Sequence, residues 1–180
     1  MTQAFGQRVR KTQKSKLHLT IYLRCTTLPV YKEGEGFYMN TPILAPAAAL
    51  VVWSLIMLFW MAGTRLPAMS KIGMDLGKAA PGGRGQDIDP NVPPSVAWKS
   101  HNYAHLMEQP TIFYATVMIL AISGGATELS VMLAWGYTAL RVIHSIWQAT
   151  VNTVSIRFMF FLLSTICLTI LAVQALLATI

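Results

Sequence analysis

The chain has 180 residues, 54% of them hydrophobic and only 12% charged, about half the charged share of an average soluble domain. Its net charge of +7 does not describe a nucleic-acid stripe. The basic residues gather before residue 33 and between the first two apolar segments, where a membrane protein keeps its cytoplasmic loops. That pattern argues for one compact integral membrane bundle and against a nucleic-acid partner. Cys25 sits in a basic tail and Cys167 in an apolar helix, so no disulfide framework is implied.

Residues 1–38 carry Arg8, Arg10, Lys11, Lys14, Lys16, Arg24 and Lys32, with no acid before Glu33. This arm is too polar to span a bilayer. It reads as a disordered basic arm, as a transit-like presequence rich in Arg, Ser and Thr, or as sequence upstream of a start at Met39. Residues 43–63 form an uninterrupted apolar run, enough to cross a hydrocarbon core of about 30 Å. Thr41-Pro42 opens this first helix, and Trp60 and Arg65 mark its far interface. The following loop contains AAPGGRGQDIDPNVPP, too dense in Gly and Pro for a regular element. Its GGRG lacks the lysine and the flanking strand of a phosphate-binding loop.

The second helix is expected over residues 98–122. His101, His105 and Glu108 fall at i, i+4 and i+7 and share one face, with Asn102 beside it. Pro110 leaves the Leu106 carbonyl without its helical donor, so a kink is expected next to Glu108. After the short turn SGGAT, a third helix over 128–151 carries Arg141, His144 and Gln148 in apolar surroundings. Arg157 leads a fourth helix over 157–180. Short connections make these neighbours antiparallel, giving an all-α, up-and-down four-helix membrane bundle over 39–180. Arg65, Lys71, Lys78, Arg84 and Lys99 in the first loop, with Arg157 in the third, place both on the cytoplasmic face. That orientation puts the basic arm on the wrong side, which favours Met39 as the start.

Ionisable groups inside a span are costly and mark function by default. Counted from the cytoplasmic ends, Glu108 and Arg141 both lie roughly 15 Å deep, so they are expected to pair. His105 and His144 come above them, then His101 and Gln148. The pair alone could serve only to fix helix register; the whole set reads better as a polar funnel. Two histidines at i, i+4 with a carboxylate also allow a metal-binding or transport protein built on His101, His105, Glu108 and His144. A third reading is a scaffold in which the polar set only holds subunits together. Trp53, Trp60, Trp135 and Trp147 are expected to face lipid or lie at its interface rather than to bind a cofactor. Met57, Met61, Met107, Met118, Met132 and Met159 read as core filler.

HNYAHLMEQPTIFYA on the second helix, ALRVIHSIWQ on the third and VSIRFMFFL into the fourth resemble the MAPEG family, the membrane-associated proteins of eicosanoid and glutathione metabolism. That family includes the microsomal glutathione S-transferases, and the resemblance covers about residues 39–180. It implies a homotrimer that binds glutathione between subunits on the cytoplasmic side. A basic residue there lowers the thiol pKa for attack on a lipophilic electrophile or peroxide arriving from the bilayer. Glu108 matches the family's helix-two glutamate, Arg141 a basic third-helix position, and Arg157 the arginine that activates the thiol. His101, Asn102, His105, His144 and Gln148 complete the implied ligand-holding set. His105 stands where an asparagine is common, His101 where an arginine is common, and His144 and Gln148 replace frequent tyrosines.

Overall fold

The computed structural model describes residues 41–74, 76–78 and 81–180. The basic segment 1–38, with Cys25 and the expected start at Met39, lies outside them. The described residues form five α-helices and no strand: α1 Leu44–Lys71, α2 Pro94–Leu106, α3 Gln109–Ile122, α4 Glu128–Thr150 and α5 Val154–Leu177. Short 3-10 turns at Thr41–Ile43, Leu76–Lys78 and Gly85–Asn91 complete the order. Helices α1, α4 and α5 are each long and apolar enough to cross a membrane. With 13 and 14 residues, α2 and α3 are not.

Three boundaries differ from the sequence reading, each for a local reason. Helix α1 runs on from residue 63 to Lys71. Arg65, expected to stop the span at the interface, is instead buried. Its guanidinium bonds Ser100 Oγ, the Gly85 carbonyl and Asp89, so the loop after α1 supplies the polar surroundings that water would. The expected single helix 98–122 starts earlier, with Pro94 at its first position, where a missing N–H costs nothing. It then breaks at Met107–Glu108. Pro110 in the first turn of α3 has no N–H for Leu106, and Glu108 leaves helical geometry with ψ of −96°. Thr111 repairs part of the damage: both its N–H and its hydroxyl donate to the Glu108 carbonyl, at 3.2 and 2.6 Å. Helix α5 begins at Val154 rather than at residue 157, so Arg157 lies inside its first turns, its N–H bonded to the Thr153 carbonyl.

Helix α4 packs most extensively on α5, while α1 packs on α2 and α4. Leu50, Met57, Phe113, Val117, Leu120, Tyr137 and Leu171 fill the shared core. Lipid tails are as apolar as these side chains, so burial alone gives helices little reason to associate in a bilayer; polar contacts add orientation. Thr138 donates to the Pro46 carbonyl at 3.0 Å and Ser130 to Gln174 at 2.8 Å. Ser145 accepts from Trp53 Nε1 at 3.0 Å and from Asn102 Nδ2 at 2.8 Å, tying α1 and α2 to α4. Trp53 is therefore an interhelical donor, not the interfacial anchor its ring suggests. Its indole N–H needs a partner at that depth, and a hydroxyl on α4 is in reach.

Gly125, in the turn before α4, lies against Ala178 at the end of α5, closer than a β-carbon would allow. Gly63 on α1 has open space in that direction. Gly125→Ala is expected to destabilise the detergent-solubilised protein by about 1–3 kcal/mol, and Gly63→Ala not at all. Thermal unfolding of the two variants side by side checks this.

Candidate functional site

The break between α2 and α3 frees two neighbouring side chains for different tasks. Arg141, on α4, is 1% exposed and faces the break. Its Nε donates to Tyr137 Oη at 3.1 Å, Nη1 to His105 Nε2 at 3.3 Å, and Nη2 to Gln109 Oε1. The guanidinium also lies 5.5 Å from the ring centres of Tyr137 and Phe161, within cation–π range. The expected Glu108–Arg141 ion pair is not formed. Glu108, just outside both helices, points outward from the fold with its side chain 67% exposed and takes His105 Nδ1 at 2.9 Å. The backbone turn at Glu108 hands Arg141 the next residue instead, the amide of Gln109 at the first position of α3.

Chemistry assigns the His105 tautomer. A guanidinium can only donate, so Nε2 accepts from Arg141, and Nδ1 carries the hydrogen given to the Glu108 carboxylate. Gln109 extends the network. Its Nε2 donates to Thr165 Oγ1 at 2.9 Å, and Thr165 donates on to the Phe161 carbonyl at 2.7 Å. One chain of bonds thus joins α2, α3, α4 and α5.

Beside this network lies a cavity of about 210 Å³ lined by His105, His144, Val154, Arg157, Phe158 and Phe161. The His105 and His144 rings stack with centres 5.0 Å apart. His144 Nε2 bonds Gln148 Oε1 at 3.1 Å, and its buried Nδ1 has no partner among the described residues. Arg157 is steadied by Asn152 Oδ1 at 2.7 Å. Asn152 holds that position because it adopts the left-handed φ of +56° closing the α4–α5 turn, a conformation that asparagine tolerates better than most residues. A guanidinium in the first turns of a helix adds to the positive end of the helix dipole. This corner of the cavity therefore favours an anion, while Phe158 and Phe161 offer an apolar wall.

Of the residues singled out from sequence, the structure brings His105, His144 and Arg157 to one cavity, with Arg141 and Gln148 behind its histidines. Asn102 is buried but turned to Ser145. His101 is directed away, to Asp89 at 3.0 Å, where it joins Arg65 in the loop cluster. That placement also removes one leg of the metal reading. No three His, Cys, Asp or Glu side chains are grouped to hold a metal ion among the described residues. The sequence reading passed over Gln109, Tyr137, Asn152 and Phe161. Tyr137 stands four residues before Arg141, and Phe161 four after Arg157, a helical spacing that could have flagged both.

The sequence model of the MAPEG family matches residues 43–177, which include every residue of the cavity and its network. The chain belongs to the MAPEG family. No curated protein matches it, and no solved structure does. With its three helices long and apolar enough to span, this MAPEG protein is a multi-pass integral membrane protein.

The division of labour at the break gives a contrast. Gln109→Leu leaves a buried guanidinium short of an acceptor and should cost about 1–3 kcal/mol. Glu108→Gln, at an exposed pair, should cost no more than about 1 kcal/mol. Denaturation of both variants in detergent checks the order; equal losses would mean Arg141 depends on Glu108 after all.

Proposed function

We propose that this MAPEG protein is a transferase that joins glutathione, or a related thiol, to lipophilic electrophiles at the Arg157 cavity. The observation that carries the reading is the pairing of opposite demands on one small surface. Arg157 offers a thiolate a cation, which favours the ionised, nucleophilic form. Phe158, next to the cation in sequence, and Phe161, one helical turn beyond it, offer an apolar substrate a wall continuous with the lipid-facing side of α5. His144 at the wall, with Gln148 bonded behind it, supplies polar groups for the rest of the thiol compound.

The family likeness implies assembly as a homotrimer, and two features of the single chain support a neighbouring copy at this site. Ligand sites for small molecules generally need 300–1,000 Å³, and the cavity of about 210 Å³ falls short of that. Glu108 lies midway between the start of α2 at Pro94 and the end of α3 at Ile122, yet it is the most exposed ionisable group of the network. An intramembrane carboxylate faces a bundle interior or a water-filled cleft rather than lipid. A neighbouring copy packed against the break provides such a cleft and enlarges the site. In this arrangement α2 and α3 together make a fourth crossing. The first loop and the cavity mouth face the cytoplasm in this reading, which the basic residues of that loop support.

Two measurements test the proposal. Calorimetric titration of glutathione into the solubilised protein should give binding in the micromolar to millimolar range. Thiolate absorbance on binding should be lost in Arg157→Ala, and an ionised thiol in that variant removes Arg157 from the role. Lysine cross-linking in native membranes should give a product of three protomers of 19.8 kDa each; a ladder that stops at the monomer contradicts the trimer.

A further inference from the structure

A cation stabilises a thiolate but cannot remove the proton, since a guanidinium has no free lone pair. The proton passes either to water or to a group at the site, and the cavity wall contains a candidate group. His105 reaches the cavity with its side chain 25% exposed. One ring nitrogen gives its hydrogen to Glu108 at 2.9 Å, which fixes the tautomer and puts the lone pair on the other, Nε2, where Arg141 donates to it at 3.3 Å. The second ring of the stack, His144 at 5.0 Å, holds the imidazole plane in place. A carboxylate that orients an imidazole at the wall of a site is the arrangement of a general base, once Arg141 yields its place on the far nitrogen to the substrate.

We infer that His105, oriented by Glu108, is the proton acceptor for the substrate thiol, and that Arg157 holds the thiolate that results. This rests on the glutathione reading above and adds a catalytic residue to it. The S–H bond breaks with its electron pair left on sulfur, and the proton passes to His105 Nε2. Sulfur then forms a bond to the electrophilic carbon, and the leaving group departs with its own bonding pair. Only after the product has left does the imidazolium return its proton to solvent beside the exposed Glu108.

Four charged or titratable groups face His105: Glu108 at the break, Arg141 and His144 on α4, and Arg157 on α5. An imidazolium beside two guanidiniums is unfavourable alone. It becomes acceptable when a thiolate forms at the same moment and Glu108 stays ionised, so proton transfer is coupled to an occupied site. Arg141 does not obstruct the step. Its contact with Nε2, at 3.3 Å, is the longest of its three hydrogen bonds, and Tyr137 and Gln109 still hold it when the thiol takes that position.

The test uses the full-length protein in detergent, with glutathione and an aryl chloride as electrophile. His105→Asn keeps an amide N–H for Glu108 at the Nδ1 position but has no basic nitrogen. It should bind glutathione within about threefold of wild type, while kcat falls about 100-fold. Its pH profile should shift to higher pH, where solvent takes the proton without help. In the wild type, thiolate absorbance counts the thiols ionised on binding, and heats in buffers of different ionisation enthalpy count the protons released. Fewer protons released than thiolates formed supports a protein-held proton; equal numbers in the wild type overturn the inference, even if the variant does not fold. A His105→Asn protein with unchanged kcat and pH profile also overturns it, leaving the transferase reading intact. Failure of the wild type to bind glutathione at all sinks that reading, and the inference with it.

Discussion

A guanidinium sealed among membrane helices must be solvated by them, and Arg141 is solvated by neutral groups rather than by a carboxylate. A phenol, an imidazole and an amide take its N–H groups, and two aromatic faces flank its plane. Everything around the cavity depends on that solution. The imidazole comes from α2, the amide from α3, the phenol from α4 and one ring from α5, so the cation cannot be housed unless four helices meet in register. Burying an unpaired charge is among the costliest errors a fold can make. The network that prevents it is therefore strongly constraining.

The helix break makes the solution possible. In a continuous helix, Glu108 and Gln109 would point about 100° apart, and Glu108 would continue the His101–His105 face. Pro110 removes one backbone donor, the chain turns at Glu108, and the two side chains part. Gln109 goes inward to Arg141 and Thr165; Glu108 goes outward and binds back to His105. Interrupted helices at membrane depth persist where protein or water re-satisfies the freed groups, and here Thr111 does part of that work. The result keeps the buried cation neutral-solvated and the carboxylate available at the surface of the fold. It also places His105, bonded to both Glu108 and Arg141, at the wall of a cavity with a second cation.

The loop after α1 behaves as a separate polar unit. Arg65 gathers Gly85, Asp89 and Ser100, and Asp89 in turn takes His101. The two arginines thus face opposite solutions to one problem, Arg65 with a carboxylate near the helix end and Arg141 without one at depth. His101 is drawn into the first and not the second, although it lies a single turn from His105.

Much of this was legible in the residues. The apolar runs of α1, α4 and α5 declare themselves by length, because a bilayer core demands about twenty apolar positions. Pro110 announces the break, since a missing N–H acts through its immediate neighbours. The motifs around His105, Arg141 and Arg157 carry the family. Partner choice was not legible. Depth matching put Glu108 opposite Arg141, but a depth is one coordinate, and a change of one backbone torsion exchanges Glu108 for Gln109. The role of Asn152 depends on a left-handed turn, Trp53 on a hydroxyl 92 positions away, and His101 on a loop with no periodicity. Hydropathy and local backbone chemistry act along the chain and can be read from it. Hydrogen-bond partners are selected in three dimensions, by which donor and acceptor the packed helices bring within 3 Å.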